Sequence, residues 1–298
     1  MNTDKKIAVV TGGAGFIGSH LVDALLKRGY AVSVLDSLVA GKRERVPAGV
    51  PLHVVDIRDA EALPPLLKGA DIVFHLAALP SVEYSIKNPA ETHAVNTTGT
   101  VNILASVGSG TRVVFASSAA IYGNTDVQIV SEDLPAAPVN PYGLQKYISE
   151  RYLTLAHTLY GIETVSLRFF NVYGPRLNPD GPYASVVGKF LKLSKEKKPL
   201  TVVGDGEQMR DFIHVYDIAD ALIKVGESSL VGKGEVINIG TGHGTSVNEL
   251  ADAFGGEREY MPSRDEIRNS CADITRAKEL LQWCSEVSLA DGIAELKK

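Results

Sequence analysis

The chain has 298 residues, enough to bury a sizeable core in one large domain or two close ones. Its hydrophobic share of 45% and charged share of 22% exclude disorder as the main state. Lys and Arg total 30 against 35 Asp and Glu, and the net charge of −5 gives no electrostatic footprint for nucleic acid or an anionic membrane.

Taken in chain order, residues 7–10 (IAVV) predict a first strand, followed by a glycine cluster and a helical pattern from Phe16 to Lys27 closed by Gly29. Further strands are expected at 31–36, 52–56 and 71–77, with a weakly periodic helix at 61–68 between the last two. A helix is expected at 92–107 and a strand at 112–117. After a polar, proline-bearing loop come a helix at 142–159 and a strand at 164–169. Pro175, Pro179 and Pro182 then crowd a loop. Beyond it the pattern predicts a helix at 183–194, a strand at 199–203, a helix at 217–226 and a strand at 235–239.

Strands alternating with helices imply right-handed βαβ units and a parallel sheet. The strands are near-continuous apolar runs, as required when helices cover both faces. The expected fold is α/β, a Rossmann-type doubly wound parallel sheet with a smaller C-terminal α/β substrate lobe. Residues 1–170 would form the nucleotide-binding domain, with about 204–230 returning to it, and 171–298 mainly the lobe. The ligand crevice belongs beyond the carboxyl ends of the strands.

Cys271 and Cys284 are too few for a disulfide scaffold and fit no zinc spacing, so no metal site is expected. The start MNTDKKIAVV lacks a signal-peptide core, and no apolar run approaches the roughly 18 residues of a membrane span. A cytoplasmic location follows as the expectation.

Residues 11–18 (TGGAGFIG) stand between a strand and a helix. Gly12 permits the sharp turn, Gly15 the approach of a pyrophosphate and Gly18 close packing of helix on sheet, while the helix N-terminus offers free amides. Asp36 ends the next strand, where it can hold ribose hydroxyls, and its charge favours NAD over NADP. Asp56 ends the third strand, either as an adenine contact or as a strand-end cap.

Tyr142 and Lys146 are four apart at the start of a helix and share a face. A tyrosine near pKa 10 needs roughly three units of help to act as a base at pH 7, which a nearby ammonium and an oxidised nicotinamide could supply. Ser118, at the end of the fifth strand, can bind the same substrate oxygen.

Together these residues resemble the extended short-chain dehydrogenase/reductase family, and within it the UDP-glucose / UDP-N-acetylglucosamine 4-epimerase group. The matching segments span nearly the whole chain: TGGAGFIGS (11–19), HLAAL (75–79), SSAAIYG (117–123), YGLQK (142–146), RFFNVYGPR (168–176), GDGEQMRDFIHVYD (204–217), NIG (238–240) and ADITRAKELLQW (272–283). The resemblance implies an NAD-dependent enzyme inverting C4 of a UDP-hexose through a 4-keto intermediate, with Tyr142, Lys146 and Ser118 catalytic. It implies cofactor contacts at Gly12, Gly15, Phe16, Ile17, Gly18, Asp36, Ser37, Asp56, Ile57, Leu76, Ala77, Ala78, Asn96, Phe169 and Val172, with Phe170 beside them.

Substrate contacts are implied at Ser81, Ser118, Tyr142, Asn171, Arg210 and Ser270. A guanidinium fork at Arg210 suits a diphosphate. Related 4,6-dehydratases carry an Asp-Glu pair after the serine, and decarboxylating relatives a glutamate; here Ala119 and Ala120 transfer no protons, which favours epimerisation. Ser270 stands where a small residue admits an N-acetyl group. The family's second diphosphate arginine is out of register here, leaving Arg264 or Arg268. The group also implies a homodimer through a four-helix bundle of 92–107, 142–159 and their copies. Other readings are a 4-ketoreductase, a uronate 4-epimerase or a non-catalytic NAD-binding sensor.

Overall fold

A computed structural model of the chain describes residues 5–180, 185–263 and 268–298. Seven parallel strands form the main sheet: β1 (Ile7–Thr11), β2 (Ala31–Asp36), β3 (Leu52–Val54), β4 (Ile72–His75), β5 (Arg112–Ser118), β6 (Glu163–Phe169) and β7 (Lys233–Ile239). Their order, β3-β2-β1-β4-β5-β6-β7, reverses direction at β1, so the switch point opens between β1 and β4. The fold is the doubly wound α/β sheet expected.

Alternate residues of each strand enter opposite cores. Val10, Val34, Phe74, Leu167 and Ile237 pack on α1 (Phe16–Lys27) and on α5 (Val215–Glu227), through Leu21, Leu25, Ile218 and Leu222. On the other face Val9, Leu35, Val73 and Phe115 meet Ile103 and Leu153. Those two belong to α3 and to α4 (Pro141–Tyr160). α3 is continuous over Pro89–His93, Ala94–Thr98 and Gly99–Ala105, the middle segment being one π-helical stretch. A shorter helix, α2 (Val82–Lys87), precedes it.

A satellite core around Phe190, Leu200, Phe212, Leu250 and Phe254 holds the C-terminal elements together. A four-stranded sheet there orders Thr245–Ser246, Met209–Arg210, Asn269–Ala272 and Ile129–Val130. Two further pairs join Phe212–His214 to Asn171–Tyr173 and Arg258–Met261 to Leu200–Val203.

Several details differ from the sequence pattern. The main sheet is not confined to the first 170 residues, since β7 forms its outer edge beside β6. The third strand stops at Val54 because Asp56 turns the chain by accepting from the Arg58 amide at 2.9 Å. The helix expected at 92–107 starts three residues earlier, at Pro89, a residue suited to a first helical position. The helix expected at 183–194 is described as Val186–Lys195, capped by the Ser185 hydroxyl. Residues 183 and 184 lie outside the described residues. Among the described residues, no helix is long and apolar enough to cross a membrane.

Candidate active site

The glycine turn forms where β1 ends at Thr11, opposite His75 at the end of β4. Gly12 takes the left-handed conformation (φ 71°), and a β-carbon there would come within 2.8 Å of the Ala77 amide. A β-carbon on Gly18 would overlap the Gly12 carbonyl oxygen. α1 therefore starts directly over the strand end, and no side chain caps it. Asp36 closes the cradle: its buried carboxylate accepts from the Ala14 amide at 2.9 Å and the Leu38 amide at 2.8 Å. Ser37 beside it is exposed. Uncapped amides, space only glycine leaves and a carboxylate with remaining acceptor sites fit the pyrophosphate and ribose of a dinucleotide.

His75 ties this end of the sheet together. Its ring lies 2.8 Å from Thr11 Oγ1 and 3.0 Å from Thr100 Oγ1. Complete burial lowers its pKa to about 3, so it is neutral. The Thr100 hydroxyl donates to the Asn96 carbonyl, which assigns the imidazole proton to Nε2. The Asn96 side chain accepts from the Leu79 amide at 2.8 Å and donates to Gln145 Oε1 at 2.9 Å. It thus links the half-buried turn Leu76–Ala77–Ala78 after β4 to α4.

Tyr142 occupies the first turn of α4, which Pro141 opens and Asn140 caps by accepting from the Gly143 amide. The Tyr142 amide donates to Ser85 Oγ at 3.1 Å, so α2 braces the tyrosine from behind. Burial pushes the Tyr142 phenol up to about 12, and a hydrogen bond with Ser118 offsets part of that. Lys146 is buried one turn on, donating from Nζ to the Ala116 carbonyl at 2.7 Å. Burial pushes it down to about 7, partly opposed by Glu150.

Lys146 lies beside the Tyr142 ring. Its Nζ stands 5.9 Å from the Tyr142 ring centroid and is held on a main-chain carbonyl, while desolvation acts on both groups.

The remaining expected residues fall at the carboxyl edge or in the C-terminal lobe. Phe169 and Phe170 are buried where β6 ends, and half-buried Asn171 and Val172 continue into the strand Asn171–Tyr173. Ser81 is buried and caps α2 by accepting from the Tyr84 amide. Asp56 is gripped by the Arg58 guanidinium, with Nη2–Oδ2 at 2.5 Å, which holds its carboxyl below the usual range. Ile57 points into the core, where a β-carbon on Gly99 would meet its Cδ1 at 2.5 Å. Arg210 and Ser270 are cross-strand partners, and Arg210 donates to the Met209 carbonyl at 2.8 Å. Arg268 is engaged by Asp205 at 2.9 and 3.0 Å. Arg264 lies outside the described residues.

Sequence reasoning missed Ser85, Ser117, Glu150 and Arg168. Only Glu150 carried a signal, standing eight residues after Tyr142 on the same helix face. The others meet the site through tertiary packing.

The family model for the NAD dependent epimerase/dehydratase family matches residues 8–240. A UDP-glucose 4-epimerase of Mycolicibacterium smegmatis is 37% identical, covering 96% of each chain. The crystal structure of a Thermotoga maritima UDP-glucose 4-epimerase with UDP-glucose has a TM-score of 0.92 at 38% identity, covering 98% of this chain and 97% of that one. A UDP-N-acetylglucosamine 4-epimerase from Methanobrevibacter ruminantium, in complex with UDP-N-acetylmuramic acid, has a TM-score of 0.90 at 34% identity, covering 98% of each.

Proposed function

The chain belongs to the NAD dependent epimerase/dehydratase family, and we propose that it is a UDP-sugar 4-epimerase inverting C4 of a UDP-hexose through a transient 4-keto sugar. One observation carries the reading. Tyr142 and Ser118 meet at the carboxyl edge of the sheet, where Ser118 favours the Tyr142 phenolate, and the residues after Ser118 are the half-buried Ala119 and Ala120. A single proton-transfer group with no second acid beside it suits oxidation and re-reduction at one carbon.

Gly12, Gly15, Phe16, Ile17 and Gly18 would hold the NAD pyrophosphate, Asp36 and Ser37 the adenosine ribose, and Asp56 with the Ile57 main chain the adenine. Leu76, Ala77, Ala78, Phe169 and Val172 would wall the channel, with Asn96 bracing it through Leu79. When bound, NAD supplies the reversible two-electron oxidation of the sugar carbon. Tyr142 Oη, as phenolate, takes the 4-hydroxyl proton and later returns it. Ser118 Oγ hydrogen-bonds the same oxygen. Lys146, when protonated, lowers the cost of the phenolate from within the fold and offers a donor to the nicotinamide ribose. Asn171 and Arg210 would anchor the diphosphate with Arg264, while the ketose turns and presents its other face. The existing pairing of Arg268 with Asp205 favours Arg264 for that role.

Ser270 is a small, half-buried residue beside Arg210, which supports acceptance of N-acetylated sugars through Ser270 and Ser81. A homodimer built on α3, α4 and their copies completes the proposal.

The test offers UDP-glucose and UDP-N-acetylglucosamine separately and follows the anomeric proton signals. Inversion at C4 without consumption of added reductant is expected with both. Stoichiometric use of NADH would replace epimerase with reductase, and inversion of the glucose sugar alone would remove the role of Ser270.

A further inference from the structure

Three residues of α4 at intervals of four meet three consecutive residues at the end of β5. Ser118 favours the Tyr142 phenolate, and Lys146 donates to the Ala116 carbonyl at 2.7 Å. Glu150 accepts from Ser117 Oγ at 2.6 Å. The Glu150 carboxylate is 1% exposed, and Arg168 grips it from β6 at 3.0 Å (Nε–Oε1) and 2.8 Å (Nη2–Oε2). Arg168 is also the cross-strand partner of Ser117. Its guanidinium lies 4.7 Å from the centroid of Tyr122, whose hydroxyl donates to Asn238 on β7 at 2.6 Å.

We propose that Glu150 is a positioning residue for the proton-transfer pair, holding the Ala116–Ser118 strand end, to which Lys146 is hydrogen-bonded, in register with Tyr142.

A buried ion pair is weak ground for stability, because apolar residues of the same volume commonly serve as well. Arg168 also keeps Nη1 without an acceptor among the described residues. The charge has a use one turn away. Lys146 has one carbonyl acceptor and burial against it, and Glu150 is the group that favours its protonated form. The other titratable groups beside it are Tyr142 on α4 and the neutral His75 on β4. Arg168 clamps the carboxylate, so its distance from Lys146 is fixed rather than averaged over rotamers.

The inference rests on the proposed role of Tyr142, so the test reads Lys146 directly. In protein labelled with 15N-lysine, the Lys146 Nζ signal is assigned by its loss in Lys146→Met and titrated in wild type, Glu150→Gln and Glu150→Asp. In Glu150→Gln the midpoint should fall by about one pH unit, and turnover should fall about fivefold at pH 7 with KM unchanged. Glu150→Asp keeps the charge and should hold the midpoint near the wild-type value. An unmoved midpoint in Glu150→Gln, with turnover reduced equally at every pH, overturns the proposal. Absence of epimerase activity leaves the titration readable, so the two readings fail separately. If Glu150→Gln does not fold, Ser117→Ala removes one hydroxyl only. A kcat lower by about threefold to tenfold with KM unchanged is then expected, and wild-type kcat overturns it.

Discussion

Burial acts on Tyr142 and Lys146 in opposite directions, pushing the phenol up to about 12 and the ammonium down to about 7. Removing the phenol oxygen leaves the glycine cradle untouched, so Tyr142→Phe should lower kcat by about 10²–10⁴-fold while NAD remains with the protein through gel filtration. Near-normal turnover would dismiss Tyr142 as the base. Lys146 also makes stability depend on pH. Its ordinary value of 10.5 applies to the unfolded chain, and about 7 to the folded one. Between these values the unfolded chain binds more protons, so the folded state gains stability as pH rises. Below pH 7 the full cost of burying the ammonium is present. Lys146→Met should therefore melt above wild type at pH 6, with the difference shrinking toward pH 10; a constant difference contradicts the assignment. The Tyr-x-x-x-Lys spacing was legible because it lies within one helix. Ser85, Ser117 and Arg168 were not, because each reaches the pair from another element and leaves no local pattern.

At the scale of elements, the site depends on how closely the start of α4 approaches the turn after β5. A β-carbon on Gly143 would stand 2.5 Å from the Ala120 carbonyl oxygen, so Gly143→Ala must displace either the helix start or the 3-10 turn Ala119–Tyr122. Both carry the Tyr142–Ser118 contact, and an ångström of misplacement in a reacting constellation costs about 10²-fold in rate. The variant should lose turnover on that order while its far-ultraviolet spectrum stays native; full activity would mean the contact is looser than the backbone requires. Residues 7–36 were read almost to the residue, because glycine spacing and a continuous apolar run leave few alternatives. α2 escaped because six residues complete fewer than two turns and show no helical period. The π-helical stretch at Ala94–Thr98 has no composition signal; it arises where the Asn96 carbonyl accepts from both Thr100 and Ser149.

Across the whole molecule, α4 turns two faces to different tasks. Tyr142, Lys146 and Glu150 point into the fold, while Leu144, Ile148, Tyr152, Leu155 and Leu159 form a stripe on the opposite side. Leu144 is 47% exposed, Leu155 50% and Leu159 64%. The sheet's seventh strand was unforeseen as part of the nucleotide-binding half because it lies past the proline-rich break, and only pairing with β6 assigns it there. The outward stripe, by contrast, was implicit in the helix period, as five apolar residues with no core to enter. A contiguous apolar stripe of that length on a surface helix marks an association face, and its spacing of four, four, three and four residues suits an antiparallel or parallel helix pair. Burying it with the matching face of a second copy would remove the exposed area and brace α4 from outside, directly behind the proton-transfer residues. Leu155→Glu places a charge within the stripe, where desolvating it would cost several kcal/mol, while its exposed position in one chain tolerates the change. Wild type should sediment at twice the chain mass at micromolar concentration, and Leu155→Glu at the single-chain mass with a lower melting temperature. Wild type sedimenting as a single chain would instead leave the stripe without the self-association assigned to it.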